Sequence, residues 1–118
     1  MRAKDGVGAY GERVAVRALQ DQGFEILDRN WRGRYGELDI VARDGEDVVA
    51  VEVKTRSSTA FGHPAEAVTP VKLARLRRVV AEWLAEHAVR APGVRIDVVA
   101  VIRRRSGRAD VEHVRGVF

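Results

Sequence analysis

The sequence predicts an α/β domain with a mixed central sheet of about five strands flanked by helices. Two segments carry apolar residues at helical spacing, and several others alternate apolar and polar residues. They follow one another as helix, three strands, helix, two strands. The 118 residues suit a single domain, 1–118, with one core. Apolar residues make up 46%, as in a globular chain rather than a disordered one.

Residues from about 7 to 22 form the first expected helix. Val7, Tyr10, Val14, Ala18 and Leu19 recur at helical spacing, and Gly23 supplies the stop. Phe24 to Trp31 reads as a strand, and Glu37 to Arg43 and Val48 to Thr55 as two clearer ones, with Asp44-Gly45 as a turn signal between them. Residues 56 to 68 read as a loop. Thr69-Pro70 then opens a longer helix, threonine as N-cap and proline in the first position. Its apolar stripe is Leu73, Leu76, Val80, Trp83 and Leu84, and Pro92-Gly93 ends the region. Val94 to Ile102 is a strand, and Ala109 to Val114 a short one.

The two middle strands alternate. Leu38, Ile40, Val49, Val51 and Val53 share one parity, expected to face a core. Glu37, Asp39, Ala50, Glu52 and Lys54 share the other, expected to face a cleft or solvent. If Asp44-Gly45 is a two-residue turn, Asp39 lies opposite Ala50 and diagonal to Glu52. If the loop has four residues, Asp39 lies directly opposite Glu52. Either even-length loop groups Asp39, Glu52 and Lys54, whereas an odd one separates them.

Such a group has a use. Two carboxylates are hard oxygen ligands for Mg²⁺, with Mn²⁺ as a substitute, and Mg²⁺ favours phosphate as a further ligand. The metal polarises a phosphoryl oxygen and acidifies a water, while an adjacent lysine orients that water and offsets developing charge. The Val53 carbonyl is a further candidate ligand. The same residues also suit a solvated, salt-bridged strand face, worth only about 0 to 1 kcal/mol for an exposed pair.

Charged residues make up 32%, with a net charge of +4 and a pI near 10.1. That balance is compatible with a polyanionic partner. No cysteine is present, which excludes disulfides, thiolate zinc sites and cysteine nucleophiles, and fits the reducing cytoplasm. No apolar run suits a signal peptide or a membrane span. Gly6-x-Gly8-x-x-Gly11 matches the dinucleotide-binding pattern but lacks the preceding strand that pattern requires. His63, His87 and His113 show no metal-ligand spacing. Asp97 is expected to pair with an arginine in the sheet. Trp31 and Trp83 are expected to be buried or partly buried.

The flanks of these motifs resemble the YraN family of bacterial endonuclease-like proteins. The matching segments are Gly8-Ala9-Tyr10-Gly11-Glu12, Arg29-Asn30-Trp31-Arg32, Gly36 to Val41 and Val51 to Arg56. Phe61-Gly62-His63-Pro64, Lys72, Arg95 to Val99 and Phe118 complete them in order along the chain. The resemblance implies a restriction-endonuclease-like, PD-(D/E)xK fold similar to archaeal Holliday junction resolvases, with a Mg²⁺-dependent nuclease centre. Carried over by position, Asp39 and Glu52 are the metal carboxylates, Lys54 is the catalytic lysine, and Glu12 is the helical glutamate completing the metal site. Leu38 stands where the superfamily's name-giving proline would be.

The substrate so implied is DNA, recognised by structure rather than sequence, branched or damaged forms included. A homodimer is expected only by analogy with junction-cutting relatives. Arg34, Arg56, Lys72 and Arg75 are the expected phosphate contacts. Tyr35 is placed to stack on a base or sugar, packing being its commoner use. Two rivals remain: a non-catalytic DNA-binding module on a nuclease scaffold, and a protein-interaction domain.

Overall fold

The computed structural model describes residues 6–57 and 63–117. Phe61, Gly62, Phe118 and the side chain of Val7 lie outside the described residues. The chain runs α1 (Gly6–Asp21), β1 (Glu25–Arg32), β2 (Glu37–Asp44), β3 (Asp47–Arg56), a 3₁₀ turn (Pro64–Ala67), α2 (Pro70–Glu86), β4 (Val94–Ile102) and β5 (Asp110–Val114). The five strands form one sheet in the order β1-β2-β3-β4-β5. Neighbours are antiparallel except β3 and β4, which run parallel. The sheet is therefore mixed, and α2 is carried in the connection that a parallel pair requires.

One helix covers each face. Ala15 and Leu19 of α1 pack with Ile40, Ala42, Val49, Val51, Val99 and Val101. Leu76, Val79, Val80 and Trp83 of α2 pack with Val41, Val48, Ala50, Ile96 and Val98. This corrects the expectation of one packed and one open face. Ala50, whose parity points to cleft or solvent, is buried under α2. Leu38, from the other set, joins the same cluster. The Asp39, Glu52 and Lys54 end of that face borders a cleft that the first turns of α2 also line.

Both helices stop in the same way. Gly23 takes φ +91°, its N–H donates to the Gln20 carbonyl (2.9 Å), and the Phe24 N–H donates to Leu19 (3.0 Å). These are the two bonds of a Schellman cap. At the end of α2 the left-handed residue is Ala88, φ +53°, with Ala88 N–H to Ala85 (3.3 Å) and Val89 N–H to Leu84 (3.0 Å). That helix ends before Pro92-Gly93, at a residue that carries no sequence signal. Its start is as expected: the Thr69 hydroxyl accepts from the Lys72 N–H at 3.2 Å, and Pro70 holds the first turn.

Asp97 anchors the far end of the sheet. It is fully buried and accepts from Arg95 (2.8 Å) and from the Gly116 N–H (3.0 Å). His113 Nε2 lies 2.7 Å from its other oxygen. Burial alone would raise the Asp97 pKa, but His113, Arg95 and the Gly116 amide outweigh it and hold the carboxyl below its ordinary value. The expected arginine partner is thus Arg95.

Candidate active site

The β2–β3 hairpin sets the geometry. Asp44 pairs with Asp47, Val41 with Ala50 and Ile40 with Val51. The turn residues are Gly45 and Glu46, one position later than the Asp44-Gly45 signal. The last pair is Ile40 with Val51; this register, continued one step, would bring Asp39 across from Glu52, as the wider loop would. The backbone pairing stops at that point. The Val53 N–H donates to Asp39 Oδ2 at 2.9 Å, so a side chain takes the place of a strand carbonyl.

The first turn of α2 closes the group. The Lys72 ammonium forms an ion pair with Glu52 Oε2, and Lys54 Nζ lies 3.7 Å from the same oxygen. A cation in the first turn works against the helix macrodipole, so Lys72 is held there by the acid rather than by the helix. Asp39, Glu52, Val53 and Lys54 line a cleft of about 410 Å³, with Arg32 and Glu37 beside them and Lys72 and Arg75 from the helix.

Burial is the main cause of the raised Glu52 pKa, and the Asp39 carboxylate adds to it, against the pull of Lys72 and Lys54. Lys54 is held below the ordinary lysine value, first by burial and then by the neighbouring Lys72 charge, with Glu52 opposing both. Lys72 moves the other way. Burial would lower it, but its contact with Glu52 prevails.

Two acids forced together in a half-dry cleft are the donor set that a divalent cation satisfies. The Lys72 ammonium already shows that a positive charge is accommodated on Glu52. The residues present therefore fit a hard cation, with Asp39, Glu52 and the Val53 carbonyl as its candidate ligands.

The other expected residues are placed as follows. Glu12 is not on the cleft lining. It is 1% exposed, and its Oε1 accepts from Arg29 (3.0 Å) and Asn30 (2.8 Å). No group of three or more acidic or histidine side chains gathers in metal-holding geometry among the described residues. Glu12 thus stands off the cleft lining, held by Arg29 and Asn30 of β1. Tyr35 is exposed, with the Arg78 guanidinium 5.7 Å from its ring centre. Arg34 is exposed, and its backbone N–H is held by Glu82 (2.8 and 2.9 Å). The Arg56 carbonyl accepts from the Arg103 N–H at 2.7 Å.

Lys72, an expected phosphate contact, rests instead on Glu52. Glu37, to which the sequence gives no role, stands in the cleft wall. The signal that could have found it is the parity it shares with Asp39.

The model of the uncharacterised protein family UPF0102 matches residues 11–101. The chain belongs to this family. A UPF0102 protein of Beutenbergia cavernae is 69% identical over 117 residues, covering 99% of each chain. One from Kineococcus radiotolerans is 61% identical over 118 residues, covering 99% of this chain and 97% of its own. One from Frankia casuarinae is 57% identical over 118 residues, with full coverage of both. UPF0102 is the family that the motifs resembled under the name YraN. The matched span holds the whole cleft, from Arg32 to Leu76. Among the described residues, no helix is long and apolar enough to cross a membrane.

Proposed function

We propose that this UPF0102 protein is a metal-dependent endonuclease that hydrolyses DNA phosphodiester bonds, branched or damaged DNA being the preferred form. The observation that carries the reading is Asp39 and Glu52 on the lining of one open cleft, with Lys54 Nζ 3.7 Å from Glu52. A restriction-endonuclease-like descent agrees with the mixed sheet and the strand order.

A Mg²⁺ or Mn²⁺ ion held by Asp39, Glu52 and the Val53 carbonyl would supply Lewis-acid polarisation of the phosphoryl oxygen and a more acidic water. The chain's own groups do the rest. The Val53 N–H fixes the Asp39 carboxylate in orientation. Lys54, lowered by burial, sits where it can orient a water and share its proton. Arg32 and Arg75 line the cleft and offer cations to the phosphates on either side, and Lys72 would join them once it leaves Glu52.

The test is a panel of linear, flapped and four-way-junction DNA in Mg²⁺ or Mn²⁺, with Lys54→Ala and Asp39→Ala alongside. Cleavage by the wild type and a loss of at least about a hundredfold in both variants is expected. Equal cutting by wild type and Lys54→Ala would trace the activity to a contaminant and overturn the assignment.

One observation favours a second reading. Lys72 already neutralises Glu52, so the acid pair can persist without a metal, as a DNA-binding module that does not cut would require. Salt-sensitive DNA binding with no cleavage in either metal would select that reading.

A further inference from the structure

A second groove lies away from the cleft, between α1 and the start of β5. It is larger, about 630 Å³, and Tyr10, Arg13, Arg17, Arg108 and Val111 are on its lining. Arg13 and Arg17 are one turn apart on α1, and Arg108 faces them from the approach to β5. Like charges one turn apart repel, and a third arginine on the same groove adds to the repulsion. Some arginines elsewhere are set against acids, Arg29 on Glu12, Arg95 on Asp44 and Asp97, and Arg104 on Asp110. Among the described residues, Arg13, Arg17 and Arg108 form no such ion pair. Asp21 is the acid on the lining. A groove that gathers three exposed arginines against one acid, with no ion pair formed among them, is suited to an anionic ligand.

A line of contacts leads from the β3 end of the cleft toward the groove. From Lys54 the strand runs two residues to Arg56, whose carbonyl accepts from the Arg103 N–H. The Arg103 guanidinium lies 5.1 Å from the centre of the Tyr10 ring, and Tyr10 opens the groove. Beyond it, Tyr10 to Asp21 extends about 16 Å along the helix, at 1.5 Å per residue. That is several phosphate steps of a nucleic-acid strand.

We infer that this groove is a second phosphate-binding track, holding DNA that continues past the cleft around the end of the sheet. The inference rests on DNA being the ligand of the cleft, but not on its being cut.

The test is fluorescence anisotropy of a labelled DNA duplex in EDTA, titrated with salt, using Arg13→Gln/Arg17→Gln/Arg108→Gln and the matching triple Arg→Lys protein. The glutamine variant should bind roughly tenfold or more weakly at low salt. Its slope of log affinity against log salt should fall by about 0.9 for each phosphate no longer neutralised, so by about 2 to 3. The lysine variant should keep most of the slope. A glutamine variant with wild-type affinity and slope would overturn the inference, as would a lysine variant that loses as much as the glutamine one. A wild type that binds no DNA would overturn it too. A wild type that binds but never cuts would remove the endonuclease reading alone, since no cleavage enters this measurement.

Discussion

Lys72→Met should destabilise the metal-free protein and make it a better binder of divalent cations. In the wild type, Glu52 is 9% exposed and faces Asp39, and Lys72 is the cation in direct contact with it. Removing one partner of a buried ion pair costs about 3 to 5 kcal/mol. The Lys72 side chain is 29% exposed and Lys54 remains nearby, so about 2 kcal/mol is expected. At this chain length that lowers Tm by roughly 8 °C, measured by circular dichroism in EDTA. Mg²⁺ at a hundred times its Kd adds about 2.7 kcal/mol to a folded state that binds it. The wild type must first give up the Lys72–Glu52 contact, so the Tm gained on adding Mg²⁺ should be larger in the variant. The pH dependence has a definite sign. A carboxyl raised in the folded state contributes most below its ordinary value of 4.5, and that contribution drains away as pH rises through the folded value. The variant's Tm should therefore fall more steeply than the wild type's as pH rises above 4.5 in EDTA. An unchanged Tm in EDTA, or the same Mg²⁺ gain in both proteins, would refute this reasoning.

Three further substitutions probe the frame. Asp97→Asn should cost about 3 to 5 kcal/mol by leaving Arg95 and His113 against a neutral amide. Because the Asp97 carboxyl is held below its ordinary 3.8, its stabilisation is present above that value and lost as pH falls through the folded value. Acid denaturation followed by fluorescence should accordingly show a shallower acid limb in Asp97→Asn. Gly11→Ala would set a methyl onto Thr55 Oγ1 and 2.9 Å from its Cβ. It should cost about 1 to 3 kcal/mol in urea unfolding, partly recovered by Thr55→Gly. Ala88→Gly should stabilise by about 0.5 kcal/mol, a left-handed cost of about 1 kcal/mol less the extra entropy that glycine loses. A higher urea midpoint would show it, and a lower one would contradict the Schellman cap at the end of α2.

Most of the fold is legible because period and punctuation agree. Thr69-Pro70 and Gly23 mark helix ends with residues whose chemistry suits no other place nearby, and both ends fall as expected. The end of α2 is illegible because Ala88 takes a backbone angle that glycine normally signals. The hairpin turn is off by one because Asp44 and Gly45 both suit a turn, and only pairing decides that Asp44 stays in the strand. Alternation locates Asp39, Glu52 and Lys54 on one face, but strand period cannot show how far along that face a helix reaches. Ala50 is covered by α2 and Glu52 only bordered by it. The partners of Glu12 and Lys72 are hidden for a related reason. A side chain's choice between a metal, a phosphate and a neighbouring ion is made by tertiary distance, and Arg29 and Glu52 are brought near only by the finished sheet.

The bond from the Val53 amide to Asp39 gives a built-in reporter. Ordinary sheet amides are locked by their neighbouring strand, but this proton is guarded by one carboxylate. In an isotope-labelled sample its chemical shift and solvent exchange would register any change in that carboxylate, whether a substitution, an arriving ion or a strand of DNA, without a cleavage assay.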